Sequence, residues 1–169
     1  MLPLTQIGQR GQPLSAVTFP AGQHPLGGAE AAYEYALASI KSQKRQDDPY
    51  VAHRIAQMSM NVETADLWLR HVAQLWDQTR VDEAKIAGIR ARCAVEKLAM
   101  EIIDHSVRAC GARSLVKPSP VERIYRDLSI YVRHDNFDQI LATIGYQVLG
   151  REYDSSFFTP SPANAPNIC

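Results

Sequence analysis

Four consecutive polar residues near the C-terminal end of the chain, Arg133-His134-Asp135-Asn136, separate two stretches with helical periodicity. An imidazole next to a carboxylate can move protons near neutral pH, because the imidazole titrates there and the carboxylate is already a base. The alternative is structural, since Asp135 or Asn136 is a good N-cap for a helix that starts at Phe137. Capping does not account for the histidine, so His134 and Asp135 are the candidate catalytic residues.

A second polar segment runs from Arg108 to Ser114, where a long helix-periodic stretch ends. Gly111 is placed to adopt the left-handed conformation that ends many helices. Backbone N–H groups at such a turn, together with the guanidinium groups of Arg108 and Arg113, could hold a phosphate. The alternative is a helix C-cap beside two solvated arginines.

Three long helices are predicted to hold these two segments. The first spans about 28–46 and the third about 82–110. The second repeats apolar residues at spacings of four and three, the pattern of a seam that packs along another helix. The apolar positions of the three helices are Ala32, Tyr33, Ala36, Leu37 and Ile40; Val51, Ile55, Met58, Val62, Ala65, Leu69, Val72 and Trp76; and Ile86, Ile89, Cys93, Leu98, Ile102 and Val107.

Two shorter helices are predicted after the third. The first is charged and contains the same-face pairs Glu122–Arg126 and Arg123–Asp127. The second has a core-facing stripe and should end at Gly150. That stripe consists of Phe137, Ile140, Leu141, Ile144 and Val148. The predicted N-caps are Asp48, Thr79 or Asp82, and Ser119, and Pro49 and Pro120 suit a first helical turn.

These patterns predict an all-α protein. No stretch alternates with a period of two residues, so no sheet is expected. Short links between long helices predict an antiparallel up-and-down helical bundle. We expect an irregular leader over 1–27, the bundle over 28–150 and a loose tail over 151–169. Apolar excess on two bundle faces would suit a homo-oligomer.

The composition argues against several kinds of partner. The chain has 169 residues with 18 basic and 18 acidic side chains, so its charge favours neither nucleic acid nor an anionic membrane. No apolar run is long enough to span a bilayer. The isolated histidines on the long helices form no metal-binding motif. The three widely spaced cysteines, Cys93, Cys110 and Cys169, argue against a disulfide framework or a zinc site and favour a cytoplasmic protein.

Two segments together carry a resemblance to a known family. The loop Cys110-Gly111-Ala112-Arg113-Ser114 precedes the segment Pro120-Val121-Glu122-Arg123-Ile124-Tyr125-Arg126-Asp127. In this order they resemble the C-terminal helical domain of the acyl-CoA dehydrogenase superfamily, and the similarity extends from about Leu26 to Gly150. The resemblance implies the C-terminal domain of a flavin-dependent oxidoreductase.

For catalysis, the resemblance implies a role for the polar turn. In the dehydrogenases a carboxylate at this place removes the α-proton of an acyl-CoA while the flavin takes a hydride from the β-carbon. Their glutamate falls at Asp135. His134-Asp135 also resembles the His-Asp of flavin monooxygenases with the same fold, whose histidine lies near the flavin. Dehydrogenation is the first expectation, because Arg-Ile-Tyr-Arg-Asp at 123–127 is close to the dehydrogenase pattern, and monooxygenation is the alternative.

For the cofactor, the resemblance implies FAD held by the loop. Arg108 stands at a glutamine of the dehydrogenases, Gly111-Ala112 stands at their paired glycines, and Arg113 and Ser114 follow. The family's Arg-x-x-Phe-Gly motif, which contacts the adenine, is not found at 44–50, so FMN is the alternative.

The family's N-terminal helical and central β-domains have no counterpart in this sequence. We therefore expect missing domains or a partner chain, in a homo-oligomer or in a hetero-oligomer with a flavin-binding chain. The remaining hypothesis is a non-catalytic helical oligomerisation module.

Overall fold

The regular structure of the protein is helical throughout the residues that the computed structural model describes, which are 25–133 and 136–151. Five α-helices follow one another within these ranges, and a 3-10 turn, Ala112–Leu115, lies between the third and the fourth. They are α1 (Pro25–Ser42), α2 (Pro49–Asp77), α3 (Val81–Cys110), α4 (Pro120–Tyr131) and α5 (Phe137–Val148). The predicted all-α class is confirmed. The first helix begins three residues before the expected boundary at 28, and most of the expected leader and tail lies outside the described residues.

The register of the three long helices shows an up-and-down arrangement. Residues with increasing numbers along α2 pack against residues with decreasing numbers along α3, so these two helices are antiparallel. The buried clusters join Val51 with Ala109, Met58 with Ala99 and Ile102, Ala65 with Val95, and Leu75 with Ala84. Along α1, Leu26 lies in the cluster of Ala65 and Ile40 lies in the cluster of Val51. Helix α1 is therefore antiparallel to α2, as the short links predicted.

Helix α3 is the central element, because it contacts all four other helices of the described chain. Its Ile103 is buried against α4 in one cluster with Val121 and Leu128. Its Ile89 and Cys93 are buried against Ile140 of α5. One face of α3 thus supports both α4 and α5.

Two of the predicted helix starts are confirmed in detail. The Asp48 carboxylate caps α2 by accepting hydrogen bonds from the backbone N–H groups of Tyr50 and Val51. Ser119 caps α4 by accepting from the Val121 N–H at 3.3 Å. Both caps satisfy donors that the first helical turn leaves without a partner.

The predicted cap of α3 by Thr79 or Asp82 is wrong. Arg80 occupies the N-cap position and makes no side-chain capping bond. Thr79 instead ends α2 in the left-handed conformation, with φ of 57°. Its N–H donates to Trp76 O and the Arg80 N–H donates to Leu75 O, which is the Schellman pattern of a helix C-terminus. The link between α2 and α3 is so short that its residues are taken up by this turn.

The core-facing stripe predicted for α5 is only partly packed. Ile140 is 3% exposed and is the one residue of α5 in the buried core, whereas Leu141 and Val148 are 45% and 70% exposed. Gly150 ends the helix as predicted, with φ of 72°. Helix α5 therefore rests on α3 along one narrow line and leaves an apolar edge uncovered in the single chain.

We predict that Thr79→Gly stabilises the protein. A β-branched residue in the left-handed conformation is strained by about 1 kcal/mol, and glycine adopts that conformation without strain. The free energy of unfolding, measured by urea denaturation with circular dichroism, should rise by about 1 kcal/mol.

Thr64→Gly is the matched control, because Thr64 lies inside the same helix, α2, in an exposed position. Glycine is a poorer helix former than threonine, so this variant should lose about 0.3 kcal/mol. Equal losses in the two variants would contradict the strain assigned to Thr79.

Candidate functional site

The C-terminal end of α3 is tied to the link between α1 and α2 by Arg45. Its guanidinium donates to the Ala109 carbonyl oxygen at 3.1 Å and to the Asp48 carboxylate at 3.2 Å. The hydrogen bond from Arg45, followed by one from the Val51 N–H, lowers the pKa of Asp48. Arg45 therefore joins the carboxylate that caps α2 to a carbonyl near the end of α3. This contact fixes the position of the surface from which the loop after α3 extends.

That loop, Arg108 to Ser114, is shaped by Gly111. This glycine has φ of 81° and ψ of 175°, a combination that residues with a Cβ rarely adopt. Its N–H donates to Val107 O, and its own carbonyl oxygen accepts from the N–H and the hydroxyl of Ser114 at 2.9 and 2.7 Å. The loop is therefore closed on itself, with Ser114 buried.

The predicted phosphate contacts of the loop differ in how well they fit an anion. Gly111, Ala112 and Arg113 are exposed, so their backbone and one guanidinium face solvent. Arg108 is also exposed but pairs with Asp104 at 2.6 Å. An exposed ion pair contributes only about 0–1 kcal/mol, so Arg108 can leave it for a phosphate. The Ser114 hydroxyl points inward and does not fit a ligand.

Cys110 adjoins the loop and is half-buried. Burial raises its pKa, and hydrogen bonds involving Ser39 and Ser106 oppose that shift only in part. The side chain is therefore a neutral thiol near pH 7, the form that is neither nucleophilic nor anionic. The chemistry of this end of the bundle accordingly depends on its arginines and backbone N–H groups.

The second candidate segment is the link between α4 and α5, residues 132–136, which we name the α4–α5 link. Its two candidate catalytic residues, His134 and Asp135, lie outside the described residues. At its described ends, Arg133 donates to Ser129 O at 2.6 Å, and the Asn136 side-chain oxygen accepts from the Gln139 N–H at 3.2 Å. Asn136 is thus the N-cap of α5. The capping role that could have explained Asp135 is filled by its neighbour.

Helix α4 presents a shallow depression next to this link. It has a volume of about 660 Å³ and is lined by Tyr125, Arg126, Ser129 and Ile130 of α4 and by Arg133, which follows this helix. The depression combines exposed apolar side chains with two cations and extends to the described end of the link. It can accommodate a ligand that has both an apolar chain and a negatively charged group.

The two ion pairs predicted on α4 have different outcomes. Arg126 pairs with Glu122 at 2.7 Å, as predicted. The predicted Arg123–Asp127 pair is not among the ion pairs of the described residues, and the Asp127 carboxylate lies 3.6 Å from Arg126 instead. Arg126 is therefore the charged centre of this surface.

Two polar contacts of α3 were not predicted from the sequence. Glu96 is 4% exposed and accepts from Arg92 at 3.0 Å. His105 lies 3.3 Å from Arg54 of α2, and burial, followed by the charge of Arg54, lowers the pKa of this imidazole. A usable signal for Glu96 was its position in an otherwise apolar series at 89, 93, 96, 100, 103 and 107.

Over 25–133 and 136–151, no three His, Cys, Asp or Glu side chains are grouped so that they could bind a metal ion. In the same ranges, no helix has the length and apolar character needed to cross a membrane.

Comparison with known proteins places these features in a family. The family model described as acyl-CoA dehydrogenase, C-terminal domain, matches residues 21–139. The Bacillus subtilis protein YdbM, provisionally named as an acyl-CoA dehydrogenase, is 32% identical over 111 residues, which cover 61% of this chain and 29% of that protein. The dibenzothiophene monooxygenase of Mycolicibacterium goodii is 25% identical over 156 residues, covering 79% and 37%.

A further relative and a solved structure extend the comparison. The pigment production hydroxylase of Rhodococcus erythropolis is 30% identical over 106 residues, which cover 57% of this chain and 26% of that protein. The crystal structure of 3-HSA hydroxylase from Rhodococcus sp. RHA1 matches with a TM-score of 0.68 at 21% identity, over 76% of this chain and 37% of that one. At 21% identity, this likeness shows that the two proteins share a fold. This chain spans roughly a third of the length of the curated relatives that it matches.

We predict that Gly111→Ala destabilises the protein through backbone conformation alone. A Cβ at this position would meet nothing within 4 Å, so the cost comes only from the positive φ. The free energy of unfolding should fall by about 2 kcal/mol.

Gly145→Ala is the matched control, because it also opens onto free space but lies inside α5. Alanine is the better helix former, so this variant should gain about 0.8 kcal/mol in the same denaturation experiment. If Gly111→Ala also gained stability, the shape assigned to the loop would be incorrect.

Proposed function

Because this chain belongs to the acyl-CoA dehydrogenase C-terminal domain family, we propose that it works as the helical part of a flavin-dependent oxidoreductase. Its relatives are more than twice as long. A flavin-binding region outside this sequence, in the same protein or in a partner chain, supplies the remaining walls of the active site. The reaction proposed first is oxidation of the CH–CH group of an acyl-CoA.

The start of α5 is the observation that carries this proposal. Asn136 provides the N-cap of α5, so the neighbouring Asp135 is not needed for that structural role. A carboxylate beside an imidazole, with capping accounted for elsewhere, is available for proton transfer. In the proposed reaction the Asp135 carboxylate takes the α-proton of the substrate and a carbon–carbon double bond forms. The flavin, when bound, supplies the hydride acceptor for the β-carbon.

The depression on α4 is proposed to receive the substrate. Tyr125 and Ile130 are 40% and 67% exposed and offer apolar contact to an acyl chain. Arg126 and Arg133 offer positive charge to the phosphates of the coenzyme A part. This arrangement brings the reacting carbons toward the α4–α5 link. Because aspartate has a shorter side chain than glutamate, the substrate must approach the link closely.

The loop after α3 is proposed to hold the phosphate portion of FAD. Ala112 and Arg113 provide the contacts at the turn that Gly111 shapes, and Arg108 joins them after leaving Asp104. Ser114 maintains the shape of the loop through its two bonds to Gly111. FMN is the alternative, because Arg45, in the link where the family contacts the adenine, is already bonded to Ala109 and Asp48.

A second chemistry, flavin-dependent monooxygenation, is supported by His134. A histidine next to Asp135 can donate or accept a proton near neutral pH, and a dehydrogenase base does not need such a neighbour. Two of the relatives are named as a hydroxylase and a monooxygenase. In this alternative His134 transfers the proton to or from the hydroxylated substrate.

The proposal also covers the subunit contacts and the location of the protein in the cell. The apolar edge of α5, with Leu141, Val148 and Leu149, is exposed in the single chain and suits contact with a second copy or with the flavin-binding chain. The cysteines at 93 and 110 are free thiols, which agrees with a cytoplasmic location.

We predict that the complex purified from its source cells contains a flavin, seen as a yellow absorption band. Asp135→Asn should leave the flavin content unchanged and slow acyl-CoA-dependent dye reduction by about a hundredfold or more, because the base is lost. Asp138→Asn is the matched control. It makes the same substitution at an exposed position of α5 and should retain full activity.

The remaining outcomes separate the alternatives. Oxygen-dependent product formation that disappears in His134→Gln and survives in Asp135→Asn identifies the monooxygenase. A complex that retains neither FAD nor FMN refutes the oxidoreductase proposal and leaves the oligomerisation module.

A further inference from the structure

His105 is a half-buried histidine near the end of α3 that the proposed reaction does not use. Its Nδ1 atom lies 3.3 Å from Nη1 of Arg54 on α2. A guanidinium has hydrogen-bond donors and no acceptor, so the imidazole nitrogen must accept the hydrogen bond. His105 is therefore neutral in this contact, with its proton on Nε2.

Arg54 is a half-buried cation whose partner is this neutral ring. Within 25–133 and 136–151 it forms a hydrogen bond with His105 and no ion pair with a carboxylate. A guanidinium that keeps its full charge disfavours an imidazolium beside it, because the two positive charges repel. Burial, followed by the charge of Arg54, accordingly lowers the pKa of His105.

The other charged groups that act on His105 connect it to the loop after α3. Asp104 and Glu101 raise the pKa of the imidazole and Arg108 lowers it, all three from α3 itself. Arg108 is paired with Asp104 at 2.6 Å, and it is the residue that the proposed phosphate site draws away from this pair. A change at Arg108 therefore alters the charge that His105 experiences.

A phosphate group bound at the loop would change this balance in one direction. When Arg108 turns to the phosphate, Asp104 loses the cation that neutralises it. The phosphate also brings negative charge close to His105, because the six residues from His105 to Gly111 rise only about 9 Å along a helix axis. Both changes favour the imidazolium.

We propose that binding of a diphosphate at the loop after α3 is coupled to uptake of a proton by His105, and that Arg54 keeps this histidine neutral while the loop is empty. The proposal rests on the proposed function in so far as the loop binds the phosphates of a cofactor. The proton comes from solvent and enters at Nδ1, and the hydrogen bond from Arg54 breaks. By linkage, a proton on His105 strengthens diphosphate binding by the same factor by which the diphosphate favours the proton.

Neither of the two residues touches the ligand in this scheme. His105 changes the electrostatic potential at the loop, and Arg54 acts through His105, so both are positioning residues. The competing explanation is that their contact only joins α2 to α3. In that case a ligand at the loop would leave the imidazole unaffected, and its affinity would not depend on the histidine.

The test is an NMR titration of the imidazole groups in the chain, with and without ADP-ribose. This compound carries a diphosphate diester like that of FAD, and its phosphates do not titrate near neutral pH. At low salt, the pKa of His105 should rise by about half a unit when ADP-ribose is bound. The pKa of His71 should not change, because His71 lies toward the opposite end of α2.

The affinity for ADP-ribose gives a second readout. A shift of half a unit corresponds to binding that is about threefold tighter below the pKa of His105 than above it. His105→Gln should abolish this pH dependence. His71→Gln is the matched control, since it makes the same substitution at an exposed position of α2 and should keep the dependence.

Arg54→Met tests the second part of the proposal in the empty chain. Removal of the positive neighbour should raise the pKa of His105, because the imidazolium is no longer repelled. Arg70→Met is the matched control on the same helix. Arg70 pairs with Asp66 at 2.6 Å, so its loss should leave the pKa of His105 unchanged.

The outcomes separate this coupling from the proposed function. If the amide signals of Ala112 and Arg113 show that ADP-ribose is bound while the pKa of His105 stays within about 0.2 units, the coupling is overturned. If these amides do not shift at any pH, the phosphate site of the proposed function fails and the coupling fails with it. The wild-type titration needs no substitution, so neither result depends on whether a variant folds.

Discussion

The close packing of α2 along α3 is the interaction on which the other features of the structure depend. Alanines such as Ala65, Ala84 and Ala99 are at most 1% exposed along this interface and let the two helix backbones approach. Met58 and Ile102 are fully buried between them, and such side chains each contribute about 1.5–3 kcal/mol by leaving water. Because alanine loses no side-chain entropy on burial, this seam is stabilised at little conformational cost.

Fixing α2 and α1 against α3 leaves one face of α3 for the shorter helices. That face is apolar at both ends, where it packs against α5 and α4, and acidic at Glu96 between them. Ile140, near the start of α5, and the loop at Gly111 therefore lie at different levels of α3. The stretch from Glu96 to Gly111 rises about 22 Å along a helix axis. A ligand that contacts both segments must lie extended along the bundle or meet them on different copies.

Polar groups inside the bundle are paired in ways that tie the helices together. The Ser106 hydroxyl, fully buried on α3, donates to the Ala32 carbonyl of α1 at 3.0 Å. Arg45 joins the end of α3 to the cap of α2. Each bond satisfies a group that burial would otherwise leave without a partner, at a cost of about 1–3 kcal/mol. The same bonds hold the surface from which the candidate phosphate loop extends.

Family membership agrees with this division of the molecule into a rigid bundle and two short polar segments. Functional residues commonly lie on loops that a rigid scaffold positions. Here Gly111 and Asn136 set the shape of those segments, Gly111 by a positive φ and Asn136 as an N-cap. The residues proposed for the reaction are neighbours of these two structural positions.

The sequence by itself determined the helices and several of their ends. Apolar periodicity located α2 and α3, and the caps at Asp48 and Ser119 were recognisable because capping acts between residues only two or three positions apart. The tertiary structure decided which polar residues are buried. Glu96 stands in an apolar series of α3, and its burial depends on the helices that pack around α3. Ser114 is buried because of how the loop closes on Gly111. Thr79 was mistaken for a cap since the same residue type can start one helix or end another. Periodicity shows that a face is apolar, but the partner of that face, and therefore the environment of each charge, depends on helices distant in the chain.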